Sequence, residues 1–177
     1  MKVESKLKSL AFIALGSNLG DSQHIISRAT ERLARFSDFA LLRSSLWKTS
    51  PVDCPPESPP FINAVIGLQP RPGETPESLL ARLQDLEREF GREPKKLRNE
   101  PRPLDLDLIA FGSCIRNTER LILPHPRAHE RRFVLAPLSE LAPNLVLPRQ
   151  HNSVRELLAA AASDEKVEKL PLTAGSR

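Results

Sequence analysis

Asp105 and Asp107 stand two residues apart inside an apolar run, Leu104-Asp105-Leu106-Asp107-Leu108-Ile109-Ala110-Phe111. In a strand, alternate residues share a face. The two carboxylates would then lie side by side, with Leu104, Leu106 and Leu108 buried on the other face. Adjacent carboxylates repel, and a divalent cation between them relieves the repulsion. Arg102, three residues earlier, adds a planar cationic fork suited to phosphate. A lone Asp-x-Asp usually marks a solvated face. This pair sits in an apolar run instead, and predicts a site for metal and phosphate.

Two basic clusters, Arg88 to Arg102 and Arg116 to Arg132, flank that strand in a chain of formal charge +4. The excess suits an anionic ligand, and its placement favours a small polyphosphate. At 177 residues the chain is expected to form one domain spanning 1–177, with 1–9 and 164–177 frayed. No apolar run is long enough to span a bilayer, and the Met-Lys-Val-Glu-Ser-Lys-Leu-Lys start lacks the apolar stretch of a secretory signal. A cytoplasmic monomer with no membrane or nucleic-acid partner is expected. Cys54 and Cys114 match no disulfide framework or zinc spacing and are read as thiols.

The elements that would carry the pair follow from pattern and punctuation. Ala11 to Leu15 reads as a strand, broken by the turn residues Gly16 to Asp21. Asp21 or Ser22 would cap a helix running to about Phe36, with Ile25, Ile26, Ala29, Leu33 and Phe36 as its buried stripe. Phe39 to Thr49 reads as a second strand, Ser50 to Pro60 as a proline-stiffened loop, and Phe61 to Gln69 as a third strand. Thr75-Pro76 opens a second helix that Gly91 ends; Leu79, Leu80, Leu83, Leu86, Glu87 and Phe90 lie near one side. A loop from Arg92 to Pro103 leads into the aspartate strand. A small hairpin across Asn117-Thr118, a short helix within Pro126 to Arg132, and segments Val134 to Leu141 and Val154 to Ala162 complete the reading. The order strand, helix, strand, strand, helix, strand predicts an α+β, ferredoxin-like β-α-β-β-α-β core: an antiparallel sheet with helices on one face and long loops at the site.

Several segments in this order resemble one family. They are Ala14 to Asp21, Ser44 to Pro51, Phe61-Ile62-Asn63-Ala64, Leu86 to Arg92, Pro101 to Leu108 and Leu123-Pro124-His125-Pro126-Arg127. Singly they are weak; in this order and spacing they resemble 6-hydroxymethyl-7,8-dihydropterin pyrophosphokinase of folate biosynthesis. The resemblance implies transfer of pyrophosphate from ATP to the pterin hydroxymethyl group, release of AMP, and two Mg²⁺ ions held by Asp105 and Asp107. It also implies catalytic roles for Arg92 and Arg102, and pterin contacts from Thr49, Val52, Phe61, Asn63 and Phe133. ATP contacts would come from Gln84, Glu87, Arg92, Arg102, Leu108, Arg120, His125 and Arg131. Against that pattern, Glu100 replaces a small residue, Asn99 an aromatic and Pro94 a basic residue, which bears on closure of the 92–103 loop.

Two rivals explain less. A ferredoxin-like RNA-binding module needs exposed strand aromatics and an aromatic-glycine signature, and no such signature occurs here. A nucleotide-sugar transferase using Asp-x-Asp leaves Phe61, Asn63 and Phe133 without a task.

Overall fold

The computed structural model describes residues 7, 9–51, 57–92, 100–161 and 165–171. Its main sheet is built from β1 (Ala11–Ser17), β2 (Leu42–Arg43), β3 (Trp47–Thr49), β4 (Phe61–Leu68), β5 (Asp105–Phe111) and β8 (Val167–Lys169). The order across it is β5-β1-β4-β3-β8, with β2 also on β4. All its pairings are antiparallel. The helices are α1 (Ser22–Ala34), α2 (Pro76–Glu89), α3 (Arg132–Leu141) and α4 (Val154–Ala160). A short hairpin, β6 (Arg116–Asn117) with β7 (Ile122–Leu123), and a 3-10 turn at Ala128–Glu130 lie between β5 and α3.

Local signals explain the first two helices. Asp21 accepts the His24 N–H at the start of α1, satisfying one of the donors that a helix N-terminus leaves open. Thr75 and Ser78 form a reciprocal capping box on α2, and Pro76 fills its first position. Gly91, at φ +86°, ends it in the left-handed region that glycine adopts freely.

The expected strand-helix order is present, and helices cover both faces rather than one. On one face, Ile26, Leu33, Leu79, Leu83 and Leu86 pack against Ile13, Leu15, Leu106 and Leu108. On the other, Val134, Leu135, Leu138 and Val154 pack against Phe12, Ala14, Val65 and Ile109. Odd and even positions of β1 thus feed different cores, as a period of two requires.

Three boundaries differ from expectation. β1 continues through Gly16 and Ser17, because both pair with β4 across the sheet, at Asn63 and Ile62. The second strand is interrupted: β2 and β3 flank Ser44, whose hydroxyl takes the Val65 N–H and whose own N–H donates to Val65 O. The tail expected to fray includes β8, which pairs with β3 from Trp47↔Lys169 to Thr49↔Val167. Backbone pairing holds it, so no apolar run was needed to bring it there.

Candidate active site

The site lies on the α3 face of the sheet, at the end that α3 leaves open. Gly16 on β1 pairs with Asp105 on one side and Asn63 on the other, and Asn63 pairs with Trp47. Paired residues of an antiparallel sheet share a face. One row therefore carries the carboxylate strand, a bare glycine and a buried amide. A Cβ on Gly16 would lie 3.2 Å from Asn63 Oδ1, 3.8 Å from Phe61 Cδ1 and 3.9 Å from Asp105 Cβ. Gly16 is the floor between two halves of one recess.

One half is anionic at its centre and cationic around it. Asp105 is ion-paired with Arg92 Nη1 at 2.9 Å and accepts from Arg102 Nη2 at 2.7 Å. The Asp107 carboxylate makes no hydrogen bond among the described residues, while its backbone sits in the β1–β5 ladder opposite Ala14. Burial first, and the neighbouring Asp105 charge second, raise its carboxyl above the usual range, while His125, Arg131 and Arg102 oppose the rise. Burial lowers the His125 imidazole, and its Nδ1 accepts the Arg127 N–H at 3.2 Å. Arg131 is half-buried, is attracted by both aspartates and lies 5.4 Å from the Phe133 ring centre. Arg102 keeps a buried Nε without a hydrogen-bond partner among the described residues. Hard carboxylate oxygens, one set unpartnered, fit Mg²⁺. Among the described residues no group of three or more His, Cys, Asp or Glu gathers as a metal cluster, so a cation here would complete its shell from ligand and water oxygens.

The other half is amide and aromatic. Asn63 Nδ2 donates to Thr49 Oγ1 at 2.8 Å, and both residues are buried. That leaves the Asn63 carbonyl oxygen and its second N–H for a ligand. Phe61, half-exposed on β4, has the Arg102 guanidinium 5.8 Å from its ring centre. Phe133 is the second residue of α3 and is partly buried beside the second core. Val52 falls outside the described residues.

The structure redirects two expected nucleotide contacts. Glu87 is buried, and its Oε1 accepts the Leu106 N–H at 2.7 Å as well as Arg92 Nη1. It works from behind the aspartate strand instead of lining a surface. β5 is an edge strand, and the Leu106 N–H faces away from β1, where Glu87 supplies the missing acceptor. Leu108 places its side chain in the core. Sharing the register of Leu106, it turns its backbone N–H and C=O to the same open edge. Gln84 is exposed on α2, and Arg120 is exposed in the turn of the β6–β7 hairpin.

One anchor was not foreseen. Asn18 is buried, accepts the Arg102 N–H at 2.9 Å, donates its own N–H to Arg102 O at 3.2 Å, and reaches Pro59 O at 3.4 Å. It ties the arginine to the residues just before Phe61. A polar residue directly after a buried strand was the available signal, and it read only as a turn.

The sheet order, the two helical layers and the carboxylate row define a ferredoxin-like α+β protein with a carboxylate and arginine recess beside an amide and aromatic one. The chain belongs to the 7,8-dihydro-6-hydroxymethylpterin-pyrophosphokinase family, whose model matches residues 12–143. It is 39% identical over 161 residues to the 2-amino-4-hydroxy-6-hydroxymethyldihydropteridine pyrophosphokinase of Pseudomonas aeruginosa, covering 90% of this chain and 96% of that one. The enzyme of the same name from Bacillus subtilis is 37% identical, over 76% of this chain and 79% of its own length. The Schizosaccharomyces pombe folic acid synthesis protein fol1 is 35% identical over 89% of this chain, which spans only 21% of that longer protein. A solved Plasmodium falciparum HPPK-DHPS triple mutant with pteroate superposes with a TM-score of 0.65 at 13% identity, over 85% of this chain and 42% of that chain. That likeness concerns the fold.

Proposed function

We propose that this chain transfers the pyrophosphoryl group of ATP to the hydroxymethyl oxygen of 6-hydroxymethyl-7,8-dihydropterin, in folate biosynthesis. The hydroxymethyl oxygen forms a bond to the β-phosphorus and gives up its proton. The bond from that phosphorus to the α,β-bridging oxygen breaks, and AMP leaves. The observation that carries the reading is the Asp105–Gly16–Asn63 row, which sets a carboxylate pair and an amide recess side by side on one rigid sheet.

Asp105 and Asp107 would hold Mg²⁺, two ions in all. When bound, such ions neutralise charge at both ends of an in-line displacement. Arg92 and Arg102 would turn from Asp105 to the phosphate oxygens, and the buried Arg102 Nε adds a donor with no competing partner among the described residues. His125 and Arg131 would hold the triphosphate on the Asp107 side. Phe61 and Phe133 would stack on the pterin, and Asn63, with Thr49 and Val52, would read its edge. The backbone of Leu108 would meet the adenine, with Gln84 and Arg120 at the rim. Residues 1–177 would act as one monomeric domain on small molecules in the cytoplasm.

An assay for AMP release from ATP and Mg²⁺, with and without the hydroxymethyl dihydropterin, tests the reading. Pterin-dependent AMP release is expected. Nucleotide release indifferent to the pterin refutes it.

A further inference from the structure

Two segments that carry proposed ligand residues are stiffened by proline where they enter the site. Arg102 stands between Pro101 and Pro103, and Phe61 follows Pro59-Pro60. A proline fixes its own φ and biases the residue before it toward an extended backbone. Pro59 and Arg102 each precede a proline, so neither readily absorbs a shift by turning locally.

Asn18 joins these two segments. It follows the last residue of β1 and is only 3% exposed. Its backbone N–H donates to Arg102 O at 3.2 Å. In a regular antiparallel pair the return bond runs from one backbone to the other. Here the Arg102 N–H donates to the side-chain Oδ1 of Asn18 at 2.9 Å instead. That bond depends on which residue stands at position 18. The same amide gives an N–H to Pro59 O at 3.4 Å, a longer and weaker contact. One short side chain thus offers an acceptor to the arginine segment and a donor to the segment before Phe61.

The two segments bring side chains of both half-sites together. The Arg102 guanidinium lies 5.8 Å from the Phe61 ring centre and donates to Asp105 at 2.7 Å. Its buried Nε has no hydrogen-bond partner among the described residues. Once the guanidinium turns from Asp105 to phosphate, its reach is set by where its backbone is held. Asn18 holds that backbone from both sides, through the Arg102 N–H and the Arg102 carbonyl.

We infer that Asn18 is a positioning residue for the transfer: it sets the Arg102 fork and the Phe61 ring at one spacing, so that phosphate and pterin lie in register for attack. The inference rests on the proposed roles of Arg102 and Phe61. Asn18→Ala should lower kcat by about tenfold to a hundredfold, the range that a misplacement of about 1 Å can cost. Binding of a non-hydrolysable ATP analogue with Mg²⁺ should change little, because Arg92 is held by Glu87 and His125 by the Ile109 carbonyl. Asn18→Asp separates the two arms. Aspartate keeps an acceptor for the Arg102 N–H and has no donor for Pro59 O. It should recover most of the lost kcat and raise the KM for pterin by about twofold to fivefold, the range expected for one lost hydrogen bond.

Rates of pterin-dependent AMP release, with calorimetry on each ligand, test this in Asn18→Ala, Asn18→Asp, Arg102→Ala and the Asn18→Ala/Arg102→Ala double variant. The aspartate variant keeps the test alive if the alanine variant folds poorly. The kcat loss from Asn18→Ala should largely vanish in the Arg102→Ala background. A loss that persists in full there, or that Asn18→Asp shares, would reduce Asn18 to a general stabiliser and overturn the inference. If Arg102→Ala slows transfer and Asn18→Ala does not, the inference fails and the role of Arg102 stands. If Arg102→Ala leaves transfer intact, that role fails and the inference with it. Wild-type protein without pterin-dependent AMP release would overturn the proposed function and the inference together.

Discussion

Replacing Glu87 by Gln separates what this buried carboxylate costs from what it holds. Burial pushes the Glu87 carboxyl up to about 7, against the bonds from Leu106 and Arg92 that favour its charged form. A carboxyl raised on folding binds its proton more tightly in the native than in the unfolded state. Its contribution to stability is then fully present below about pH 4.5, the unfolded value, and is lost as pH rises toward about 7. At about 1.4 kcal/mol per unit, the loss from this one group reaches about 3 kcal/mol. Glu87→Gln matches the protonated side chain in shape and keeps an acceptor for the Leu106 N–H, and it has nothing to ionise. Urea unfolding of the ligand-free proteins at pH 4.5 and pH 8 should therefore show the two nearly equal at the lower pH. The variant should be the more stable by roughly 2–3 kcal/mol at the higher one. Turnover should nevertheless fall, because Arg92 loses the anion that places it against Asp105. A stability difference that is flat across this range would show that Arg92 outweighs burial and keeps Glu87 ionised throughout, which would refute the reasoning.

Asp107→Ala should abolish pterin-dependent AMP release, while thermal unfolding of the apo protein stays level or moves up, since a repelling buried charge is gone; near-normal release would sink the metal role. Phe133→Ala should cost at least about 0.5–1.5 kcal/mol in pterin binding beyond lost area and leave ATP affinity unchanged. Calorimetry showing equal losses would return it to plain packing. Gly16→Ala puts a methyl 3.2 Å from Asn63 Oδ1, so the KM for pterin should rise more than the KM for ATP; parallel rises would mean that the whole sheet end had shifted. Glu100→Gly removes a carboxylate two residues before Arg102 in the chain and should tighten ATP binding or raise the transfer rate, and stopped-flow nucleotide binding slower and weaker than wild type would count against that.

What was legible in the sequence was what local pattern controls. The alternation from Leu104 to Leu108 placed the aspartates on one face and the leucines on the other, and the Leu106 and Leu108 side chains do enter the core opposite the pair. The caps of α1 and α2 were written in Asp21, Thr75, Pro76 and Gly91. Less visible was anything decided by a distant partner. The apolar stripe of α3 announces burial but not against which face, so a second helical layer went unseen. Val167-Glu168-Lys169 carries no strand pattern, and it becomes a strand because β3 offers an unpaired edge. Glu87 stood in the α2 stripe among leucines, which is the mark of a buried carboxylate. Its task appears only once β5 is known to be an edge strand.

That edge also bears on how the nucleotide would be read. An edge strand exposes a row of backbone donors and acceptors that invite wrong pairing. Here Glu87 takes the Leu106 N–H, and the Ile109 carbonyl accepts the His125 N–H at 2.8 Å. Both covers come from segments that also carry proposed phosphate ligands, Arg92 and His125. Between them lies the Leu108 backbone, whose N–H and C=O face the same way as those of Leu106. A neighbouring donor and acceptor match the Watson–Crick edge of adenine, which presents an amino group beside a ring nitrogen acceptor. The residues that guard the edge would thus also define a slot one residue wide. Discrimination of ATP from GTP would then rest on the β5 backbone rather than on any side chain. Side-chain substitutions at Leu108 that keep the core, such as Leu108→Met, should leave the ATP-over-GTP preference of pyrophosphoryl transfer unchanged, and a preference that moves with that side chain would argue that the base is read elsewhere.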